Sequence, residues 1–255
     1  MNSTYPLLFG LVCSSCAGAS LAVTPRVADL NVSGHVGTSG ATSGGSTSLD
    51  DLGLGGHETV PGVRVDADVI VAHIIVTGLT TSMSGDGALS SNLSQGGVTI
   101  PAGTTVDSKL DFDTLSAYGT FDFLPGDMWE LGLGMGLTGL KYDGKFKSTS
   151  GPPLSVSFDE TFAVPVLVVS SAVGLGPFEI SAVLAGMQLN YSGNDLTYSD
   201  VDLYAAWRFI DRAVDVSIGL GWRRLSADAK FDSGGDRVKA DLTFDGPYLG
   251  VTVGF

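Results

Sequence analysis

A chain of 255 residues carries 27 Asp and Glu against 13 Lys and Arg, a formal charge of −14, and so negative a surface repels nucleic acid. Its 36 glycines are about twice the usual share of roughly 7 %, a density that disfavours helices and suits turns and crowded strands. No stretch beyond residue 25 combines a 3.6-residue apolar period with helix length, and none holds the roughly 18 consecutive apolar residues of a spanning helix.

The N-terminus reads as an export signal over residues 1–22. Leu7 to Val12 form a short apolar run, and Ala17-Gly18-Ala19 or Ser20-Leu21-Ala22 offers the small-x-small cleavage pattern. Both cysteines, Cys13 and Cys16, fall inside this segment, so the chain that remains has no thiol and no disulfide. Cys13-Ser14-Ser15 precedes Cys16 in place of the leucine-led box of a lipoprotein.

From there on the period is two. Ten strands are predicted, over residues 27–37, 60–70, 73–84, 108–124, 128–147, 156–173, 178–191, 197–210, 213–231 and 239–255. "MWELGLGMGL" sets Trp129, Leu131, Leu133, Met135 and Leu137 against Glu130, Gly132, Gly134 and Gly136. "SDVDLYAAWRF" sets Val201, Leu203, Ala205, Trp207 and Phe209 against Asp200, Asp202, Tyr204, Ala206 and Arg208. "AVDVSIGLGWR" sets Val214, Val216, Ile218, Leu220 and Trp222 against Asp215, Ser217, Gly219, Gly221 and Arg223. "KLDFDTLSAYGTFDF" changes the polarity of its faces between Phe112 and Leu115, which predicts either a bulge or the edge of an apolar band. Short links near 71–73, 125–127, 174–177 and 210–212 alternate with polar stretches at 38–58, 84–107, 148–155, 192–194 and 232–237, the asymmetry of a membrane barrel.

A soluble sandwich would present Lys, Glu and Thr on its polar face, whereas here that face is Gly, Ser and Ala with scattered charges. Small residues fit the crowded interior of a narrow closed barrel, where charges can pair across the lumen. Glu130, Asp202, Arg208, Asp215 and Arg223 share the inward register and are expected to form ion pairs there. Phe123, Trp129, Phe178, Trp207 and Phe209 stand on the outward register beside short links, and Trp222 stands toward the other end of its strand; together they predict interfacial aromatic girdles. The expected architecture is therefore an all-β, transmembrane, antiparallel up-and-down barrel of about ten strands over residues 23–255, with eight or twelve as alternatives.

The chain ends "DGPYLGVTVGF", with Leu249, Val251, Val253 and Phe255 alternating to a terminal aromatic. This matches the signal that the barrel-assembly machinery reads, and a last strand that closes on the first leaves no open edge in hydrocarbon. With "LDDLGL" at Leu49 to Leu54, "DGPYLG" at Asp245 to Gly250 and "WRRL" at Trp222 to Leu225, the chain resembles a family of uncharacterised Gram-negative outer-membrane β-barrel proteins. That resemblance implies a barrel and no particular activity.

The expected role is structural or surface-binding with a mostly filled lumen. The alternatives are a narrow channel for small solutes and an outer-membrane hydrolase acting on lipid A or peptides. No catalytic, cofactor or metal residues are assigned. His35, His57 and His73 read as ordinary solvated residues, and the acidic outer loops read as a solvated rim with no recognised calcium spacing. Expected partners are outer-membrane lipid and lipopolysaccharide and, during biogenesis, the assembly machinery, for a monomer with no nucleic-acid partner.

Overall fold

The computed structural model describes residues 19–39, 44–69, 72–95, 97–123, 128–191, 194–233 and 236–255. Most of the segment expected to be an export signal, both cysteines, the 125–127 link and residues 192–193 lie outside the described residues. In chain order the strands are β1 (Ala19–Ser39), β2 (Gly44–Ser48), β3 (Gly56–Val69), β4 (Ala72–Ala88), β5 (Leu93–Gln95), β6 (Val98–Ile100), β7 (Thr105–Asp122), β8 (Trp129–Ser148), β9 (Ser155–Leu175), β10 (Phe178–Tyr191), β11 (Asn194–Ile210), β12 (Asp215–Ser233) and β13 (Asp236–Gly254).

Ten of these, all but β2, β5 and β6, make one antiparallel sheet in sequence order that closes through β13 and β1. The closing ladder runs from Ala22↔Gly254 to Ser39↔Arg237, and Leu21 and Phe255 exchange backbone hydrogen bonds of 3.2 and 2.9 Å at its end. Closure through β1 and β13 leaves the sheet no free edge strand. The first strand begins at Ala19 rather than at residue 27, because the backbone of Ala19 to Arg26 pairs with Val69 to Gly62 of β3.

An apolar belt girdles the outer surface. On β8 the exposed side chains Trp129, Leu131, Leu133, Met135 and Leu137 give way to Lys141 and Lys145. On β7, Phe121 and Leu115 give way to Asp113 and Asp111. The ladders of β7 with β4 and with β8 run through this point without a shift. So the polarity change at Phe112–Leu115 is not a bulge: Phe112 is 0 % and Leu115 63 % exposed, and the belt ends between Leu115 and Asp113.

Beyond the belt the interior inverts as well. Phe112, Tyr142, Phe146 and Phe244 are fully buried inside the barrel, with Phe112 stacked on Phe244 at 4.7 Å and tilted against Tyr142 at 5.0 Å. This half is built like a soluble β-protein, apolar within and polar without. The expectation of a small and charged interior along the whole barrel is corrected here. Where the outer wall turns polar, the hydrophobic effect places apolar groups inside instead.

Two ladders stop short, each beside a proline. β3 joins β4 only from Val69↔Ala72 to Gly62↔Leu79, next to Pro61, and β9 joins β10 only from Leu175↔Phe178 to Leu167↔Gly186, two residues from Pro165. Proline has no N–H to give to a ladder and belongs on an edge. The first split is filled by the Leu49–Leu54 turn. Asp51 N–H binds the Ser48 hydroxyl at 3.0 Å, Leu54 N–H binds Leu49 O at 2.8 Å, and Ala88 N–H of β4 reaches Asp51 O at 3.1 Å. Leu49, Leu52 and Leu54 enter the core. The β5–β6 hairpin caps the same end, with Leu93 and Ile100 buried and Ser94 N–H held by the Thr38 hydroxyl at 2.8 Å.

The long polar links are fewer than expected. Strands continue to Tyr191 and Asn194, and to Ser233 and Asp236, so among the described residues the longer links at this end are 44–55, 89–95 with 97–104, and 149–154.

Candidate functional site

Inside the belt the lumen is polar. Arg26 on β1, Arg64 on β3, Asp200 and Asp202 on β11 and Arg223 on β12 point inward and are all buried. Arg26 Nη1 lies 2.5 Å from Asp202 Oδ2, and Arg64 Nη1 lies 3.8 Å from the same oxygen. Arg64 also grips Asp66, with Nε 2.8 Å from both carboxylate oxygens. Arg223 binds Asp200 in a two-point fork, Nε to Oδ1 at 3.0 Å and Nη2 to Oδ2 at 2.7 Å. The Tyr248 hydroxyl donates to Asp202 Oδ1 at 2.5 Å. Tyr204 and Tyr248 stack at 5.7 Å, and the Arg26 guanidinium lies 5.5 and 4.6 Å from their centroids. Gly219 and Gly221 make room for these rings. A Cβ at Gly221 would sit 2.1 Å from the Tyr248 ring, and one at Gly219 would sit 2.6 Å from Tyr204.

Two of the five residues expected in lumen ion pairs, Asp202 and Arg223, belong to this cluster. Arg208 lies at the short-link end, 3.7 Å from Glu179, with both side chains substantially exposed. Glu130 and Asp215 stand at the same end without a salt bridge among the described residues. Asp200, on the same face as Asp202 in "SDVDLYAAWRF", completes the cluster with Arg26, Arg64 and Asp66, which were not singled out in the sequence. A signal existed for Arg64 and Asp66 as well, since "VRVDADV" alternates Arg64, Asp66 and Asp68 with Val63, Val65, Ala67 and Val69.

His73 departs from the expectation of a solvated turn residue. It faces inward with its side chain 17 % exposed, and its Nε2 is 3.0 Å from Asp66 Oδ1. His57 pairs with Asp29 at 3.1 Å on the outer wall, both largely exposed; His35 is exposed on the same wall. Among the described residues there is no group of three or more His, Cys, Asp or Glu placed to hold a metal.

Between the ion-pair floor and the short-link end lies a cavity of about 370 Å³. Thr24, Ser170, Ser181, Ser217 and Thr252 line its wall, and Asp68, Asp122, Glu130, Glu179, Asp215 and Arg208 line its mouth. In the other direction lie the buried Arg–Asp cluster and, beyond it, the buried aromatic side chains.

On the outer face, Phe123, Trp129, Phe178, Trp207 and Phe209 are all exposed at the short-link end, and Trp222 is exposed near the opposite edge of the belt. Trp207 and Phe209 touch at 6.0 Å, and Trp222 Nε1 donates to Asp245 at 2.9 Å, an apolar body with a satisfied polar edge. Leu249, Val251 and Phe255 are exposed on the same face, and Val253 is half-buried there.

The fold matches solved barrels. The outer membrane protease OmpT of Escherichia coli superimposes with a TM-score of 0.56 over 92 % of this chain and 97 % of that one, at 12 % identity. The chain has the fold of an outer-membrane β-barrel. The toluene transporter TodX of Pseudomonas putida (TM-score 0.31, 10 % identity, 94 % and 90 % covered) and the β domain of the Bordetella autotransporter BrkA (0.34, 13 %, 94 % and 99 %) also match. No family model and no curated protein matches the sequence.

Proposed function

We propose that the protein is an integral outer-membrane barrel, structural or surface-binding in role, whose lumen is blocked toward the cell exterior. The observation that carries this reading is the filled half of the lumen: Phe112, Tyr142, Phe146 and Phe244 pack across it with no exposed surface, beneath a cap made by residues 44–54 and the β5–β6 hairpin. Ten strands enclose too little space for an aqueous channel, which needs roughly 16. The apolar belt and its aromatic borders fit lipid chains and headgroups. The short-link end, with both termini of the barrel, would face the periplasm, and the cap would meet lipopolysaccharide and the medium. Phe255, with Leu249, Val251 and Val253 on the outward strip, suits recognition by the assembly machinery, and a closed sheet needs no second copy to satisfy its edges. The resemblance carried by the Leu49–Leu54 and Asp245–Gly250 motifs agrees with this reading.

The test is expression in a Gram-negative host. The protein should fractionate with the outer membrane, lose that location when Phe255 is deleted, and produce no conductance steps in planar bilayers after purification. Steady ion conductance by the intact protein would overturn the blocked lumen and favour a narrow solute channel.

A further inference from the structure

The two splits in the wall are closed to different degrees. In the first, the Leu49–Leu54 turn brings its backbone against β4 and buries its leucines. In the second, between β9 and β10, no segment plays that part among the described residues. From Ser155 to Val166 β9 pairs with β8 alone, since its ladder with β10 stops at Leu167↔Gly186, and these residues make no other backbone hydrogen bond among those described. Phe162, Met187, Leu189 and Leu196 stand at this split and are only partly buried. Thr161 is level with Lys141, where the belt ends on β8, so Ser155 to Thr161 present a strand edge to water.

The charges on this edge are unmatched on both faces. On the outer face Asp111, Asp143 and Asp159 lie directly opposite one another on β7, β8 and β9. Lys109 binds Asp111 at 2.7 Å and Lys145 binds Asp143 at 3.1 Å, whereas Asp159, at the end of the row, has no salt bridge or hydrogen bond among the described residues. Like charges opposite one another on neighbouring strands destabilise a sheet, and a cation on the next strand relieves them. Glu160 stands on the inward register between Phe158 and Phe162, half-buried and likewise unpaired among the described residues. An inward charge on an edge repels apolar and acidic strands. It admits a strand that brings the counter-charge.

We infer, resting on the surface-binding reading, that this edge receives one extended strand of a basic partner polypeptide, antiparallel to β9, with two consecutive Lys or Arg residues opposite Asp159 and Glu160. On either side of that pair the partner alternates, with apolar residues opposite Val156, Phe158, Phe162 and Val164 and polar residues outward. Backbone pairing supplies affinity, and the side chains facing the two carboxylates supply specificity. A second copy of this chain fits badly, because two β9 edges joined about their middle would crowd the carboxylates of both.

Fluorescence anisotropy of the whole protein in maltoside micelles tests this with a labelled, end-capped probe, Val-Thr-Val-Thr-Lys-Lys-Val-Thr-Val. The probe should bind at least about tenfold more tightly than versions with Leu-Leu or Glu-Glu in place of Lys-Lys, and than a scrambled peptide of the same composition, a difference of about 1.4 kcal/mol. Amide exchange over Ser155–Val166 should slow when the probe binds. Asp159→Asn with Glu160→Gln should weaken it by about tenfold, whereas Asp113→Asn, on the outer face of β7 away from the edge, should leave it unchanged. Equal binding of the scrambled or Glu-Glu peptide, no slowing of exchange on β9, or an unchanged affinity in the double variant would overturn the inference. Intact cells are scored separately: no binding in micelles refutes the strand site and leaves the barrel untouched, whereas binding in micelles with none on cells refutes the outward-facing cap.

Discussion

Replacing Asp202 with Ala is expected to cost about 3–5 kcal/mol of folding stability, the penalty of stripping one partner from a buried ion pair. Asp202 is 6 % exposed and is the one carboxylate that Arg26 and Arg64 share, at 2.5 and 3.8 Å. Without it Arg64 keeps Asp66, 2.6 Å away, but Arg26 keeps only the faces of Tyr204 and Tyr248. A desolvated cation over an aromatic ring recovers about 2 kcal/mol, less than the penalty of leaving a buried guanidinium without its carboxylate. Equilibrium urea unfolding in micelles, followed by the heat-shifted gel band, measures the loss. The paired variant Arg26→Met with Asp202→Leu should regain most of it, because an apolar pair of similar volume needs no counter-charge. By contrast, Glu179→Gln at the exposed Arg208 pair should change stability by less than about 1 kcal/mol. A wild-type transition in Asp202→Ala would show that the floor is wet and its charges are independently solvated.

Gly87→Val should release the Leu49–Leu54 turn while leaving the β4–β7 ladder in place. A Cβ at Gly87 would lie 1.9 Å from Asp51 O and 2.6 Å from Leu52 Cα, and one at Gly85 would lie 2.1 Å from Gly53 O. These contacts are backbone, so the turn has to move away as a unit. Valine is a better strand residue than glycine, so the strand itself gains and the effect isolates the turn. Expulsion takes Leu49, Leu52 and Leu54 out of the core, at about 1.5–3 kcal/mol for each leucine that becomes fully exposed, and uncovers the split between β3 and β4 above Pro61. Limited proteolysis of intact cells should then cut between residues 44 and 55 at least about tenfold faster. Gly139→Val is the control, since its nearest neighbour would be Leu115 O at 3.6 Å and its side chain would face the edge of the belt. Equal protease resistance of Gly87→Val and the parent would mean that the turn does not seal the wall.

The faces of β8, β11 and β12 were legible in the sequence because each has one wholly apolar side, and a period of two leaves a strand no other way to sit in lipid. Strand number followed for the same reason. Arg26 was not legible, because Pro25 beside it and the polar residues after it obscure the alternation that the β3 ladder restores. Nor could the sequence place the aromatic core: Phe112, Tyr142, Phe146 and Phe244 lie on the same inward register as the lumen charges of other strands, and only the height of each residue relative to the belt separates an apolar interior from a polar one. The Leu49–Leu54 element stood out as a motif. Its role depends on a ladder that ends at Gly62↔Leu79, a fact about pairing that no local pattern carries.

Site-directed nitroxide scanning of β8 addresses the central claim most directly, and the chain has no cysteine apart from Cys13 and Cys16. Labels at Leu131, Leu133, Met135 and Leu137 in liposomes should relax strongly with oxygen and weakly with a water-soluble nickel chelate, and labels at Lys141 and Lys145 should show the reverse. Chelate accessibility at Leu133 and Met135 equal to that at Lys145 would contradict a lipid-facing belt, and with it the closed barrel as a membrane protein.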